Sequence, residues 1–367
     1  MSTNKRMIFH LPDFIDFNNP ISGSQVRPLK LINAFKEIGY NVDVVCGYGN
    51  ERKQKIKKVK QKIKNGVIYD FVYSESSTTP TLLTEKCHLP IFPFLDFSFL
   101  FFCKRNKLKI ALFYRDIYWN FDFFKKNIYF IKYLYLRFFY LLDLRIYNRI
   151  VDVLFLPSLR MKDFIPYKFD ITIDELPPGV DKIEDKHLIK NKNLNKLQLI
   201  YVGDISELYR IDLLMKSISC DYKLNVCCRK VDWDKNFDYY RTFLNSNIRI
   251  LHYSGEMLKE IYLTNDIACL FIEPSLYRSF SVPVKFFEYL SFELPVIGVK
   301  GNTIADFIDK YNVGWTINYS ENELNDLLLY LKCNPDAIKE KVDNIKRIMH
   351  KITWHQRALR VKNLLLN

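Results

Sequence analysis

Short apolar segments alternate with helical segments along this chain, and this alternation constrains the fold more than any other feature. The first series of predicted strands lies at residues 7–11, 41–46, 66–73, 109–113 and 153–156. The segment 28–39, between the first two, carries apolar residues at helical spacing and ends at a glycine. Because strands that alternate with helices pair in parallel, this series predicts a doubly wound α/β sheet.

A second series of the same kind follows a charged, asparagine-rich stretch at 181–196 that has no apolar face and is typical of a linker. Its predicted strands lie at residues 197–202, 224–228, 248–251, 267–272 and 295–299. A chain of 367 residues is long enough for two cores. The prediction is therefore two Rossmann-like domains facing a central cleft, with the following bounds: first domain 1–181, linker 182–196, second domain 197–350, and a final helix 351–367 that crosses back to the first domain.

The chain is strongly basic, with 55 Lys and Arg against 41 Asp and Glu and a formal net charge of +14. Such a surface attracts polyanions, which include nucleic acid, anionic lipid and phosphorylated substrates. Aromatic residues make up 16% of the chain, which excludes an intrinsically disordered protein. The charge therefore limits the class of partner without identifying it.

Two segments of the first half favour contact with a membrane surface. Residues 121–149 alternate aromatic and aliphatic residues with lysines and arginines at helical spacing, and residues 89–103 form the most apolar run. That run is shorter than the ~20 residues of a spanning helix and contains Pro93 and Asp96, so it is not predicted to be transmembrane. An aromatic, cationic helix is suited to the headgroup region of an anionic bilayer, but it is also what an ordinary domain helix with a basic face looks like.

The eight cysteines show no spacing typical of zinc ligands or of a disulfide framework, and no secretory signal precedes them. Most of them lie in apolar stretches, where a thiol acts as a small core residue. The expected location is the reducing cytoplasm, peripheral on the inner face of the cell membrane.

In parallel sheets, ligands bind beyond the carboxyl ends of the strands, so the segments that follow the strands are the candidate sites. After the first strand, the stretch 22–27 contains Gly23, Ser24 and Arg27 just before a helix. Backbone amides at a helix start, together with a cation, suit a phosphate or sugar hydroxyls. An ordinary helix-initiating turn has the same appearance.

The strand at 109–113 is followed by Arg115 and Asp116 among three aromatic residues. Aromatic faces and a carboxylate are the groups that bind sugars, and Asp116 is placed to accept a proton from an attacking hydroxyl. The alternative is that these two residues pair with each other at the surface or cap the next helix.

In the second half, Gly203 follows a strand and Arg210 precedes a helix. A glycine there allows close approach of a diphosphate, and Arg210 would neutralise it. Further along, Lys285 and Glu288 are three residues apart and share one helix face near a helix N-terminus. They suit the phosphate and the ribose of one nucleotide, or they form an intrahelical ion pair.

The block at 283–298, PVKFFEYLSFELPVIG, resembles the donor-nucleotide signature of GT-B glycosyltransferases in the variant P-x-K-x-x-E-Y followed by P-V-I. YVGD with IDLL is similar to the first strand and helix of that family's C-terminal domain, and LPPGVD to its interdomain crossover. The resemblance spans essentially the whole chain. It is closest to the family 4-like enzymes, glycosyl transferases group 1, of bacterial surface polysaccharide biosynthesis.

The chain departs from the family pattern at three places. Retaining members carry a glutamate eight residues before the second one, and here that position is Phe280. Tyr209 and Arg210 replace a Lys-Gly pair, and Glu293 replaces a glycine. The Lys-x-x-Glu arrangement also resembles an inverting glucuronosyltransferase of xanthan assembly, so both stereochemical outcomes stay open.

The resemblance implies a metal-independent glycosyltransferase that moves a sugar from a nucleotide-diphosphate sugar to a glycan or polyprenyl-diphosphate-linked acceptor in capsule, O-antigen or exopolysaccharide assembly. Lys285 and Arg210 would hold the diphosphate, Glu288 the ribose, and Gly203 would permit close approach. Asp116 is the candidate base; the candidate acceptor-binding residues are Gly23, Ser24, Arg27 and Arg115.

The expected partners are therefore the nucleotide sugar as co-substrate, the acceptor and an anionic membrane surface, without a separate cofactor, a metal or nucleic acid. Two alternatives differ in class. One is a GT-B epimerase, and the other is a non-catalytic nucleic-acid or membrane-binding protein on a GT-B scaffold.

Overall fold

The computed structural model describes residues 5–17, 23–181 and 196–366. The chain divides into two compact units. Unit 1 consists of Met1–Gly179 with Trp354–Asn367, and unit 2 of Val180–Thr353. Except for residue 196, the predicted linker at 182–196 lies outside the described residues.

Unit 1 contains a parallel sheet of six short strands. These are β1 (Arg6–His10), β2 (Asn41–Val45), β3 (Phe71–Glu75), β4 (Lys109–Phe113), β5 (Val153–Leu156) and β6 (Thr172–Glu175). Their order across the sheet is β2-β1-β3-β4-β5-β6. Strands β1, β3, β4 and β5 are almost completely buried, as expected where helices cover both faces of a parallel sheet.

Five helices of unit 1 follow these strands in the chain. They are α1 (Gly23–Glu37), α2 (Gly49–Lys64), α3 (Leu95–Arg105), α4 (Asp122–Lys126) and α5 (Phe130–Ile150). Helix α1 packs against the last helix of the chain, Trp354–Leu366, and both contribute to one apolar cluster with the sheet. Helix α3 packs against α2 and α5.

Unit 2 contains a second parallel sheet of six strands. These are β7 (Leu197–Val202), β8 (Tyr222–Cys227), β9 (Ile248–Leu251), β10 (Ile267–Leu270), β11 (Val296–Val299) and β12 (Gly314–Ile317). Their order is β12-β11-β10-β7-β8-β9. Gly314 is required where β12 begins, because a Cβ there would overlap the carbonyl oxygen of Val296 on the neighbouring strand.

The helices of unit 2 are α6 (Asp212–Lys216), α7 (Lys230–Tyr240), α8 (Gly255–Leu263), α9 (Val284–Ser291), α10 (Thr303–Tyr311), α11 (Glu321–Cys333) and α12 (Pro335–Met349). The last helix of the chain, α13 (Trp354–Leu366), belongs to unit 1. Helix α10 begins at an Asn302 side chain that accepts a hydrogen bond from the Ala305 amide (2.9 Å) and ends at Asn312 in the left-handed conformation. The two sheets with their helices confirm the predicted α/β fold of two Rossmann-like domains.

The structure differs from the predicted elements at several strand bounds and in β12 (Gly314–Ile317), which was not among the predicted strands. Strand β3 occupies Phe71–Glu75 and not 66–73, because Gly66 has a positive φ that ends the preceding helix. Strand β6 was not predicted, because it is a half-buried edge strand with the polar sequence TIDE. Helix α1 starts at Gly23, so the predicted loop residues Gly23, Ser24 and Arg27 are helical.

No helix in the described part of the chain is both long and apolar enough to cross a bilayer. The predicted aromatic, cationic region at 121–149 forms α4 and α5. The apolar run at 89–103 forms a loop followed by most of α3.

Candidate functional site

Each sheet has one point where the direction of strand addition reverses. In unit 2 the chain moves from β7 outward to β8 and β9, then returns to add β10 on the other side of β7. In unit 1 the same reversal places β1 between β2 and β3. In open α/β sheets, the crevice beyond the carboxyl ends of the strands at such a point is where ligands bind.

Helix α9 starts in the segment that follows β10, next to this reversal point in unit 2. The Nζ of Lys285 lies 2.7 Å from Glu288 Oε2, and the side chains are 35% and 27% exposed. Lys285 Nζ also lies 3.5 Å from the hydroxyl of the buried Tyr262. The structure therefore brings the two predicted nucleotide-binding residues together as an ion pair that solvent reaches, in the first turns of a helix whose N-terminal amides favour anions.

Gly203 lies directly after β7, as predicted. A Cβ at this position would lie 2.9 Å from the hydroxyl oxygen of Tyr201, which is 1% exposed and donates to the carbonyl of Asp204. The absence of a side chain at 203 is thus demanded by the packing of Tyr201 inside the unit. Glycine at this position also permits close approach of a ligand, but the packing of Tyr201 is enough to explain it.

Arg210 contacts a different set of residues from Lys285. Its guanidinium lies 4.2 Å from the ring centroid of Tyr239 in α7, and its carbonyl accepts a hydrogen bond from the amide of Glu273 (3.3 Å). That amide belongs to the segment after β10, so Arg210 lies at the same edge of the sheet as α9.

In unit 1, Asp116 lies just beyond the carboxyl end of β4 and is half-buried. Its Oδ1 accepts hydrogen bonds from the amides of Ile117 (2.7 Å) and Tyr118 (3.0 Å). These two bonds orient the carboxylate relative to the sheet edge.

Sequence reasoning missed the residue that organises the predicted acceptor-binding group, Glu75 at the end of β3. This carboxylate is completely buried and lies 2.9 Å from Arg115 Nη2 and 3.3 Å from Arg27 Nε. It also accepts a hydrogen bond from Tyr73 (3.0 Å). Nothing local in the sequence distinguishes this glutamate from a surface one.

Two of the predicted acceptor-binding side chains are therefore bound within the unit. Arg27 is 4% exposed, donates to the Leu176 carbonyl (3.0 Å) and stacks over Phe113, 3.6 Å from the ring centroid. Arg115 donates to the Ser24 carbonyl (2.8 Å). The structure thus brings Ser24, Arg27 and Arg115 together around Glu75 at the carboxyl edge of the sheet.

A second buried ionic cluster lies at the end of β1. Asp96 of α3 is 3% exposed and contacts His10 Nε2 (3.0 Å) and Arg52 Nε (3.0 Å). His10 Nδ1 shares a hydrogen bond with Ser74 Oγ (2.8 Å). Burial on its own would raise the pKa of Asp96, but the hydrogen bonds and charges of His10 and Arg52 outweigh it and hold this pKa below its ordinary value. The sequence showed Asp96 only as an interruption of an apolar run.

A third buried carboxylate, Asp143 of α5, forms no ion pair within the part of the chain that the structure describes. Its Oδ2 accepts a hydrogen bond from the Thr81 amide (2.8 Å), whereas Oδ1 has no hydrogen-bond partner among those residues. Burial raises the pKa of Asp143 to about 7 from its ordinary value of 3.8.

Within residues 5–17, 23–181 and 196–366, no three His, Cys, Asp or Glu side chains are grouped closely enough to hold a metal ion. The two units instead present distinct chemistry. Unit 2 offers solvent-reachable cations at a helix N-terminus, and unit 1 offers a half-buried carboxylate supported by buried ion pairs.

Solved structures of other proteins share this architecture. A glycosyltransferase from Rickettsia africae is similar over 99% of both chains, with a TM-score of 0.66 and 14% identity. Anabaena Alr3699/HepE in complex with UDP matches over 98% of this chain and 99% of its own (TM-score 0.65, 11% identity). WaaG, a glycosyltransferase involved in lipopolysaccharide biosynthesis, covers the same shares (TM-score 0.61, 14% identity).

No protein-family model and no curated protein sequence matches the chain. The structural likeness extends over the whole chain and establishes its fold. The chain has the GT-B fold of two Rossmann-like domains, as the resemblance of the 283–298 block predicted.

The raised pKa of Asp143 gives a prediction for stability. The folded protein binds a proton at Asp143 that the unfolded chain releases near pH 4, so this residue's contribution to stability is present below about pH 4 and is lost as the pH rises to about 7. Asp143→Asn is expected to be more stable than the wild type above pH 7, by up to about 4 kcal/mol, and similar to it near pH 4.

The measurement is urea unfolding across this pH range, with the exposed Asp163→Asn as the matched control. Equal pH dependence in the wild type and Asp143→Asn would show that the pKa of Asp143 is not raised in the folded protein, so that its carboxyl is charged above about pH 4.

Proposed function

We propose that this protein is a glycosyltransferase that uses a nucleotide-diphosphate sugar as donor. The observation that carries the proposal is the Lys285–Glu288 pair in the first turns of α9, beside the reversal point of the unit 2 sheet. Similar structures support it, since HepE was solved with UDP and with UDP-glucose. A putative UDP-N-acetylglucosamine 2-epimerase from Listeria monocytogenes also has this fold, with a TM-score of 0.52 and 12% identity.

In this proposal Lys285 exchanges its contact with Glu288 for a phosphate of the donor. An ammonium group near a helix N-terminus then faces the negative charge that develops on the departing diphosphate. Glu288 becomes available for ribose hydroxyls, and Arg210 supplies a second cation at the same edge. Because cations and backbone amides perform this role, we propose that the donor binds without a metal.

Lys285→Ala is expected to weaken binding of the preferred nucleotide by about tenfold or more, because a hydrogen bond to a charged group is worth ~1.5–3 kcal/mol. The measurement is thermal stabilisation by UDP, GDP, ADP and dTDP, with and without EDTA, followed by calorimetric titration of the best nucleotide. The matched control is Lys259→Ala, since Lys259 forms an ion pair of the same spacing with Glu256 (2.6 Å) on α8.

If a nucleotide binds and Lys285→Ala binds it equally well, the donor-site assignment is wrong. If no nucleotide binds the wild type, the proposed transferase is wrong, and retention on nucleic acid or anionic vesicles would favour the binding-protein alternative. Analysis of the recovered donor sugar separates transfer from epimerisation.

We further propose Asp116 as the base that accepts the proton of the acceptor hydroxyl in an inverting transfer. The attacking oxygen forms the new glycosidic bond as the bond to the nucleoside diphosphate breaks, and its proton passes to the carboxylate. The amides of Ile117 and Tyr118 hold this carboxylate at a defined angle. The Glu75 cluster, with Ser24 and Arg115, keeps the neighbouring segments in place on the acceptor side.

Asp116→Asn is expected to lower turnover by 100-fold or more while leaving nucleotide affinity unchanged, because general-base catalysis contributes about 10²–10⁴-fold. Single-turnover transfer with the matching donor, together with the titration above, measures the two effects. Glu75→Gln is measured alongside as the comparison variant. Loss of nucleotide affinity or of folding in Asp116→Asn would assign Asp116 a structural role. Unchanged turnover would exclude it as the base.

We propose a glycan or polyprenyl-diphosphate-linked acceptor of surface polysaccharide assembly, reached at the inner face of the membrane. The support is the exposed surface of three segments of unit 1, which are α2, the first turn of α5 and the residue before α3. Its apolar part is unusually exposed, with Phe94 at 74%, Phe130 at 63% and Ile131 at 82%. Helix α2 adds a row of exposed lysines, at positions 53, 57, 58 and 64.

This surface combines the two features that bind an anionic bilayer, apolar side chains for insertion and lysines for the headgroups. Phe130→Ser with Ile131→Ser is expected to reduce sedimentation with all vesicles. Lys57→Glu with Lys58→Glu is expected to reduce it, by about tenfold or more, only with vesicles that contain phosphatidylglycerol.

The measurement is sedimentation with vesicles of phosphatidylcholine, with and without phosphatidylglycerol. Val231→Ser in α7 is the matched apolar control, since Val231 is 61% exposed. Equal sedimentation of both double variants and the wild type would exclude this surface as the membrane contact.

A further inference from the structure

Arg278 lies in the segment between β10 and α9, and no carboxylate among the described residues forms an ion pair with it. Its Nη1 donates to the carbonyl of Leu208 (3.1 Å), and the guanidinium lies 5.6 Å from the ring centroid of Tyr209. Among the described residues no carboxylate lies within ion-pair distance of it, and Glu273 acts on it from farther away. Burial lowers the pKa of Arg278, which reflects the cost of keeping this cation partly away from water.

Arg229 of the same unit shows the usual arrangement. It is exposed and forms two hydrogen bonds with Asp232, of 2.6 Å and 3.0 Å. Arg278 has the opposite combination, since it is more buried and lacks such a partner in the described part of unit 2. A partly buried guanidinium without a counter-ion is destabilising unless an anion binds it.

The segment that carries Arg278 is held by its own hydrogen bonds. The amide of Arg278 donates to the Ser275 carbonyl (3.0 Å), and its carbonyl accepts from Ser281 Oγ (3.2 Å). Thr303 of α10 donates to the carbonyl of Ser279 (3.1 Å). These bonds fix the backbone that carries the side chain, and the Leu208 carbonyl holds one nitrogen of the guanidinium, so less side-chain entropy is lost when a ligand binds.

The position of Arg278 indicates the kind of ligand. Leu208 follows β7 and Arg278 follows β10, the two strands between which the direction of the unit 2 sheet reverses. The same segment leads into α9, which carries Lys285. One nitrogen of the guanidinium is bound to Leu208, and the others are neither hydrogen-bonded to described residues nor sealed from solvent.

We propose that Arg278 binds an anionic group of the donor substrate, either a phosphate of the nucleotide or the carboxylate of an acidic sugar. This inference rests on the proposed function and adds a third cation, one that the sequence did not place among the donor-binding residues. A guanidinium fork matches both oxyanions, because its N–H groups pair with two oxygens at once.

The test compares Arg278→Gln, Arg278→Lys and the wild type in calorimetric titrations with UDP, UMP, UDP-glucose and UDP-glucuronate, or the matching set for the nucleotide that binds best. Arg278→Gln is expected to lose about tenfold or more in affinity for the ligand that carries the recognised anion. Arg278→Lys is expected to fall between the two, because lysine keeps the charge and loses the fork. Arg229→Gln is the matched control.

An equal loss for UDP, UDP-glucose and UDP-glucuronate, with a smaller loss for UMP, assigns Arg278 to the diphosphate. A loss confined to UDP-glucuronate assigns it to a sugar carboxylate. Wild-type affinity of Arg278→Gln for every ligand overturns the inference and leaves the proposed function intact, whereas no binding by the wild type overturns both. Melting temperatures show whether Arg278→Gln folds normally. If it does not, the affinities of Arg278→Lys for the same ligands test the inference.

Discussion

Two buried carboxylates, Glu75 and Asp96, hold together the carboxyl edge of the unit 1 sheet. Each lies between two cationic or imidazole partners that come from distant parts of the chain. Removal of one partner from such a cluster leaves an uncompensated buried charge, which costs about 3–5 kcal/mol. The positions of α1, α2, α3 and the segment after β4, which carries Asp116 next to Arg115, are therefore coupled.

At the carboxyl edge of the unit 2 sheet, the charged side chains are arranged differently. Lys285 and Glu288 meet where solvent reaches them, Arg210 lies on an aromatic ring, and Arg278 lacks a carboxylate partner among the described residues. Charges that are already paired and buried stabilise a scaffold, whereas charges that are reachable and incompletely paired are available to a ligand. The same fold thus supports an edge of paired, buried charges in one unit and an edge with solvent-reachable cations in the other.

Local patterns in the sequence were sufficient for the parts of the site that lie within one element. Lys285 and Glu288 are neighbours because they are three residues apart on a helix, and Asp116 lies at a sheet edge because it follows a strand. Arg115 is 40 residues from Glu75, and His10 is 86 residues from Asp96. No periodicity connects positions so far apart, so the sequence assigned Arg27 and Arg115 to an acceptor and did not connect them with Glu75.

The sequence by itself determined the alternation of strands and helices, the presence of two Rossmann-like domains, and the helix face that carries Lys285 and Glu288. These properties follow from apolar periodicity and short-range spacing, which act along the chain. Only the tertiary structure decided which ionisable groups are neutralised inside the protein and which remain for a ligand. Pairing and burial depend on contacts between elements that are far apart in sequence, and the energy of a charge is set by those contacts and by the water that they exclude.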